Sequence, residues 1–121
     1  DFIVNILPLT NETKGILNKN LFDEFSANTV LINVGTGAHL VDEDLIDALQ
    51  SNQIKEAYLD VFNEEPLPVD HPFWENDKVF MTPHVASITN TSSVLLQIED
   101  NYYKMKQKAD LTNEVSLEKG Y

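Results

Sequence analysis

Four short apolar runs constrain this 121-residue chain more than any other feature. Phe2 to Leu7, Val30 to Val34, Ala57 to Val61 and Val79 to Thr82 are rich in β-branched and other apolar residues. They lack the strict polar alternation of a half-solvated strand, so each reads as a strand buried on both faces. Helical patterns separate the first three. Asn18 or Asn20 suits the cap of a short helix that places Leu21, Phe22 and Phe25 on one face. Asp42 suits the N-cap of a second helix, Glu43 and Asp44 complement its dipole, and Leu45, Ile46 and Leu49 form its buried stripe. A β-α-β-α-β order requires right-handed crossovers and a parallel, doubly wound sheet, which places the chain in the α/β class.

The segment from Val61 to Val79 carries Pro66, Pro68 and Pro72 and has no helical period. Loops of that length inside α/β domains usually have a task, and Phe73 and Trp74 are suited to anchoring this one on the sheet. Val94, Leu95, Ile98, Tyr102 and Met105 then follow helical spacing behind possible caps at Ser87 or Thr89. This long amphipathic helix needs a partner surface. A polar tail runs from Lys106 to Tyr121, and there is no internal repeat or low-complexity segment.

Charge narrows the partners. Eight lysines, no arginine and 20 acidic residues give a formal charge of −12. Such a chain is poorly suited to neutralising nucleic-acid phosphates or to lying on an anionic membrane. Without cysteine there is no disulfide, thiolate metal site or cysteine nucleophile. No apolar run approaches the roughly 20 residues that cross a bilayer, and the expected location is cytoplasmic. The chain opens at Asp1 and runs directly into a strand, so it reads as a piece of something longer.

Ligands of open parallel sheets bind outside the carboxyl ends of the strands. Those positions hold Pro8 to Thr13, Gly35-Thr36-Gly37, Asp60 through Glu65, and His84. A carboxylate and a histidine at two such ends are candidates for a general acid/base pair, because a carboxylate orients imidazole and raises its pKa. The plain alternative is that His84 simply ends a strand and Glu65 is solvated. Gly35-Thr36-Gly37 is not a dinucleotide fingerprint, since GxGxxG needs a glycine where Leu40 stands. A turn between strand and helix explains it. His39 and His71 read as ordinary surface or packing residues, and no His/Asp/Glu cluster has metal-ligand spacing.

Leu7-Pro8-Leu9-Thr10 with Glu12-Thr13, Leu31-Ile32-Asn33-Val34-Gly35 with Gly37, Leu59-Asp60-Val61-Phe62 with Glu65-Pro66-Leu67-Pro68, and Thr82-Pro83-His84 occur in order. Together they resemble the D-isomer-specific 2-hydroxyacid dehydrogenases. His39, the stretch His71-Pro72-Phe73-Trp74 and the ending Glu118-Lys119-Gly120-Tyr121 resemble the glyoxylate and hydroxypyruvate reductase branch.

The resemblance implies the C-terminal half of a Rossmann-like NAD(P)-binding domain over residues 1–87, with a crossover helix and tail over 88–121 that join a substrate-binding domain. It implies hydride transfer between NAD or NADP and a small 2-oxo or 2-hydroxy acid. By resemblance His84 is the acid that protonates the alkoxide and Glu65 the carboxylate that holds it. Asp60 accepts from the nicotinamide carboxamide, and Pro8, Thr13, Val34 and Gly35 line the dinucleotide. Thr36 stands where the family keeps the arginine that grips the substrate carboxylate. The family's glycine-rich pyrophosphate turn lies upstream of the matched part, so Asp1 falls inside a dinucleotide-binding domain. The alternative expectation is a non-catalytic remnant: a small α/β domain whose open edge or last helix suits a homo-oligomer.

Overall fold

A computed structural model describes residues 1–120; Tyr121, the end of the Glu118–Tyr121 stretch, lies outside the described residues. Strands β1 (Phe2–Asn5), β2 (Thr29–Asn33), β3 (Ile54–Leu59) and β4 (Val79–Met81) alternate with helices α1 (Lys19–Asp23) and α2 (Asp42–Gln50), and α3 (Thr91–Gln107) follows. Single 3-10 turns lie at Gly37–His39 and Pro72–Glu75. Two compact units divide the chain, Asp1–Ala86 and Ser87–Tyr121.

All four strands of the first unit are parallel and stand in sequence order, β1-β2-β3-β4. Register sorts their side chains by face. Leu31, Ala57 and Val79 form one cross-strand row and are buried, with Leu59 a residue pair further on. Against them pack Phe22 of α1 and Leu45 and Leu49 of α2, each almost wholly removed from solvent. Each such side chain contributes about 1.5–3 kcal/mol of burial. The opposite row is Val4, Ile32, Tyr58 and Phe80. Here Val4, Tyr58 and Phe80 are exposed, although the Tyr58 and Phe80 rings stack at 4.8 Å.

The strands depart from expectation: exposed Tyr58 and Phe80 show that β3 and β4 are not buried on both faces, and the first strand departs further. It stops at Asn5 rather than Leu7 and is not buried on both faces, since Phe2 and Val4 are exposed. It is an edge strand, paired only with β2 among the described residues.

Caps also differ from the sequence reading in part. Asn18, one of the two expected caps, accepts from Leu21 N and starts α1. Asp42 does not cap α2: Val41 holds that position without a side-chain bond, and Asp42 is the first helical residue. Its carboxylate lies 3.5 Å from His71 Nε2 instead, and Asp44 accepts from the backbone N–H of Lys19 at the start of α1. The acidic first turn of α2 therefore ties its neighbours as well as complementing its own dipole. For α3 the cap is Asn90, not Ser87 or Thr89; Asn90 Oδ1 accepts from Ser92 N and Ser93 N. Lys108 closes α3 in the left-handed conformation, and no residue of α3 is buried.

Between β3 and β4 the proline-rich segment gains one 3-10 turn, with His71 Nδ1 accepting from Phe73 N. Phe73 enters the core, as an anchor should. Trp74 does not: it stays about half exposed, its indole N–H held by the Pro68 carbonyl at 2.8 Å.

Candidate active site

The carboxyl ends of the four strands gather the residues singled out above, each on a loop fixed by a local feature. After β2, the chain must turn where it meets the loop after β3. A Cβ at Gly37 would lie 1.9 Å from the carbonyl carbon of Phe62, so only glycine lets the two backbones touch. Asn63 Nδ2 donates to the Leu40 carbonyl and closes the same junction.

Beyond β3 comes Asp60, buried at 4% exposure. Its Oδ1 accepts from the Thr82 hydroxyl and from Val85 N at 2.9 Å, and its Oδ2 from Ala86 N at 2.9 Å. Burial pushes this carboxyl upward, but the Thr82 hydroxyl and the two amides outweigh it and hold Asp60 below the usual carboxylate range. One buried anion thus fixes both flanks of His84. The segment between them bends sharply: His84 takes a left-handed φ of 54° and its N–H bonds to the Thr82 carbonyl.

The bend brings His84 Nδ1 to 2.8 Å from Glu65 Oε2. Glu65 is itself oriented, since its Oε1 accepts from Phe62 N at 2.9 Å. A carboxylate accepts only, so Nδ1 carries the proton of this bond. Nε2 has no protein partner among the described residues. The hydrogen bond and charge of Glu65 raise the His84 pKa above its ordinary value, while the same bond and the Phe62 amide lower that of Glu65.

The pair opens into a cleft of about 490 Å³ whose walls include Phe62, Leu67, Trp74, Met81 and Pro83. Apart from His84, no potential cation among the described residues lines it. A smaller hollow of about 110 Å³ brings Val34 together with Asp60, Thr82 and Ala86. Pro8 and Thr13 lie in the loop after β1, where Thr13 Oγ1 donates to the Pro8 carbonyl at 2.8 Å. Thr36 precedes the Gly37 turn, its carbonyl accepting from Asn33 Nδ2 at 3.1 Å, and does not line the cleft.

For His39 the structure shows the packing alternative and not the surface one. It is fully buried and bonds to Asn5 and to the Pro8 carbonyl, in a polar cluster that includes Asn33. An asparagine inside each of two apolar runs, Asn5 and Asn33, was the sequence signal for this cluster. His71 bridges toward Asp42 from the proline-rich segment. Among the described residues no group of His, Cys, Asp or Glu is placed to hold a metal ion, and no helix is long and apolar enough to cross a membrane.

A parallel sheet with a His–Glu pair at its carboxyl edge defines a dinucleotide-domain type of site, and residues 1–86 match the sequence model of the D-isomer specific 2-hydroxyacid dehydrogenase NAD binding domain. The chain belongs to that family. It is 41% identical over 119 residues to the glyoxylate/hydroxypyruvate reductase A of Yersinia enterocolitica, covering 98% of this chain and 38% of that protein. The chain therefore spans well under half the length of this curated relative. Among solved structures, a D-isomer specific 2-hydroxyacid dehydrogenase from Xanthobacter autotrophicus Py2 in complex with NADPH and MES superimposes with a TM-score of 0.95 at 39% identity, over 99% of this chain and 50% of that one. The NADPH-dependent glyoxylate/hydroxypyruvate reductase of Sinorhizobium meliloti, in complex with NADP and sulfate, gives 0.91 at 36% identity, over all of this chain and 40% of that one.

Proposed function

We propose that this chain supplies the proton donor and part of the dinucleotide site of an NAD(P)-dependent reductase that converts 2-oxo acids of the glyoxylate and hydroxypyruvate type to D-2-hydroxy acids. The observation that carries the reading is the 2.8 Å His84–Glu65 bond at the mouth of an apolar cleft. Glu65 keeps the imidazole charged and leaves Nε2 free to give its proton to the carbonyl oxygen. Partial desolvation by the apolar walls strengthens that interaction.

The residues present suit a dinucleotide. Asp60 Oδ2 accepts one protein hydrogen bond and keeps acceptor capacity for a second, which the carboxamide of a nicotinamide would use. Val34 and Asp60 share one hollow, and Pro8, Thr13 and Gly35 stand on the adjoining loops. When bound, the reduced nicotinamide supplies the hydride that becomes the new C–H bond. On this reading residues 1–87 are the C-terminal half of the NAD(P)-binding domain and 88–121 a crossover helix and tail toward the substrate-binding domain.

Thr36 supports a second reading, a non-catalytic remnant. No arginine occurs in the chain, and threonine brings neither charge nor reach to an anionic substrate. Loss of NADPH absorbance on adding glyoxylate or hydroxypyruvate tests the two. Turnover supports the reductase. NADPH binding without turnover, in the wild type and in Thr36→Arg alike, supports the remnant.

A further inference from the structure

The most enclosed polar cluster of the first unit has no part in the His84–Glu65 pair. Asn5 ends β1, Asn33 ends β2 and His39 comes from the turn that follows Gly37; all three are buried. Asn5 Nδ2 donates to Asn33 Oδ1 and to His39 Nδ1, both at 2.8 Å. An amide nitrogen only donates, so Nδ1 is the acceptor and the imidazole proton sits on Nε2. That nitrogen lies 3.3 Å from the Pro8 carbonyl, which only accepts. Each ring nitrogen therefore has its role set by its partner.

The remaining bonds of the cluster run to backbone at two strand ends. Leu7 N donates to Asn5 Oδ1, Gly35 N donates to Asn33 Oδ1, and Asn33 Nδ2 reaches the Thr36 carbonyl. The turn sits directly on the cluster, since a Cβ at Gly35 would come within 3.0 Å of Asn5 Nδ2 and 3.3 Å of His39 Nδ1. An aliphatic or aromatic residue would fill the space of His39 without the cost of burying an imidazole and two amides. What the polar set adds is a fixed relation between the loop after β1 and the turn after β2.

We infer that His39 is a positioning residue for the dinucleotide: on a ring packed beneath the Gly35 turn, its Nε2–H holds the Pro8 carbonyl, and this contact keeps the two rims lining the cofactor at one spacing. This rests on the reductase reading, because Pro8, Thr13, Val34 and Gly35 are the residues that reading places along the dinucleotide.

Two substitutions separate the ring's two contacts. His39→Gln puts an amide nitrogen near the position of Nε2 and keeps a donor for Pro8; His39→Asn reaches only the position of Nδ1 and keeps the Asn5 contact alone. NADPH affinity measured by titration, together with amide hydrogen exchange at Leu7, Thr10 to Thr13 and Gly35, is compared for wild type and both variants. The inference expects His39→Asn to weaken NADPH about fivefold, the weight of one neutral hydrogen bond, with faster exchange at Leu7 and Thr10 to Thr13. It expects His39→Gln to restore both toward wild type. Equal NADPH affinity in all three folded proteins overturns it, as does equal weakening in the two variants. If the wild type binds no NADPH, this chain does not hold the dinucleotide by itself, and exchange alone decides the clamp, with equal exchange in both variants overturning it and faster exchange in His39→Asn supporting it.

Discussion

His84 and Glu65 meet at 2.8 Å although 19 positions separate them, because Asp60 holds the Thr82 hydroxyl before His84 and the Val85 and Ala86 amides after it, and Phe62 N orients Glu65. Both groups are partly exposed, so the pair's importance lies in setting protonation rather than in stability.

That arrangement predicts a pH dependence. A reductase that needs protonated His84 slows as pH rises through the raised His84 pKa. Replacing Glu65 by Gln removes the largest cause of that elevation, so the fall in kcat moves to lower pH. A profile of NADPH oxidation against pH for the two proteins checks it; superimposable profiles count against the pairing. The stability linked to the pair has its own window. The contribution of His84 is fully present below its ordinary pKa of 6.5 and is lost as pH rises through the raised value. That of Glu65 is present above 4.5 and is lost as pH falls through the lowered one. Both are therefore present between 4.5 and 6.5.

Asp60→Asn replaces one of the two acceptor oxygens by a donor facing either the Val85 or the Ala86 amide, and a charge by a neutral group. Hydrogen bonds to a buried carboxylate contribute about 1.5–3 kcal/mol each, and an unpaired amide adds its own cost. We expect a loss of roughly 2–3 kcal/mol in urea unfolding, along with lower activity as the bend at His84 relaxes. The wild type should lose this contribution only as pH falls through the depressed Asp60 pKa.

Gly37→Ala tests the contact between strand-end loops. Its Cβ would fall 1.9 Å from one Phe62 backbone atom and 2.1 Å from another, and backbone on both sides must move. Overpacking of this kind costs about 3 kcal/mol or more, so the thermal midpoint should fall by several degrees. An unchanged midpoint would show that the loops do not touch.

Thr36→Arg should help an anionic substrate. A charge-assisted, bidentate contact adds about 3 kcal/mol, which is more than a hundredfold in kcat/KM for a 2-oxo acid and near nothing for a neutral ketone. Equal effects on both would place the new side chain away from the substrate carboxylate.

The order of elements was legible because apolar runs and helical stripes survive in any context: Leu45 and Leu49 lie in the core as their spacing requires, and Phe22 does the same for α1. Ends were less legible. Asp42 has the chemistry of an N-cap, but His71, 29 positions away and brought near by the fold, competes for its carboxylate. Likewise Phe2 and Val4 read as doubly buried because composition cannot tell an edge strand from a central one. In the site, His84 and Glu65 stood out by their place after apolar runs, and the geometry brings them together. His39 did not stand out, since a lone histidine after a glycine turn carries no local sign of the two asparagines it meets across the sheet.

The most direct test of the central claim, that His84 delivers the proton, is the rate of NADPH loss with a saturating 2-oxo acid in wild type and in His84→Asn, at a pH below the wild-type fall. Removing a general acid should lower kcat by about a hundredfold or more while leaving NADPH affinity nearly unchanged. Equal rates in the two proteins would contradict the account.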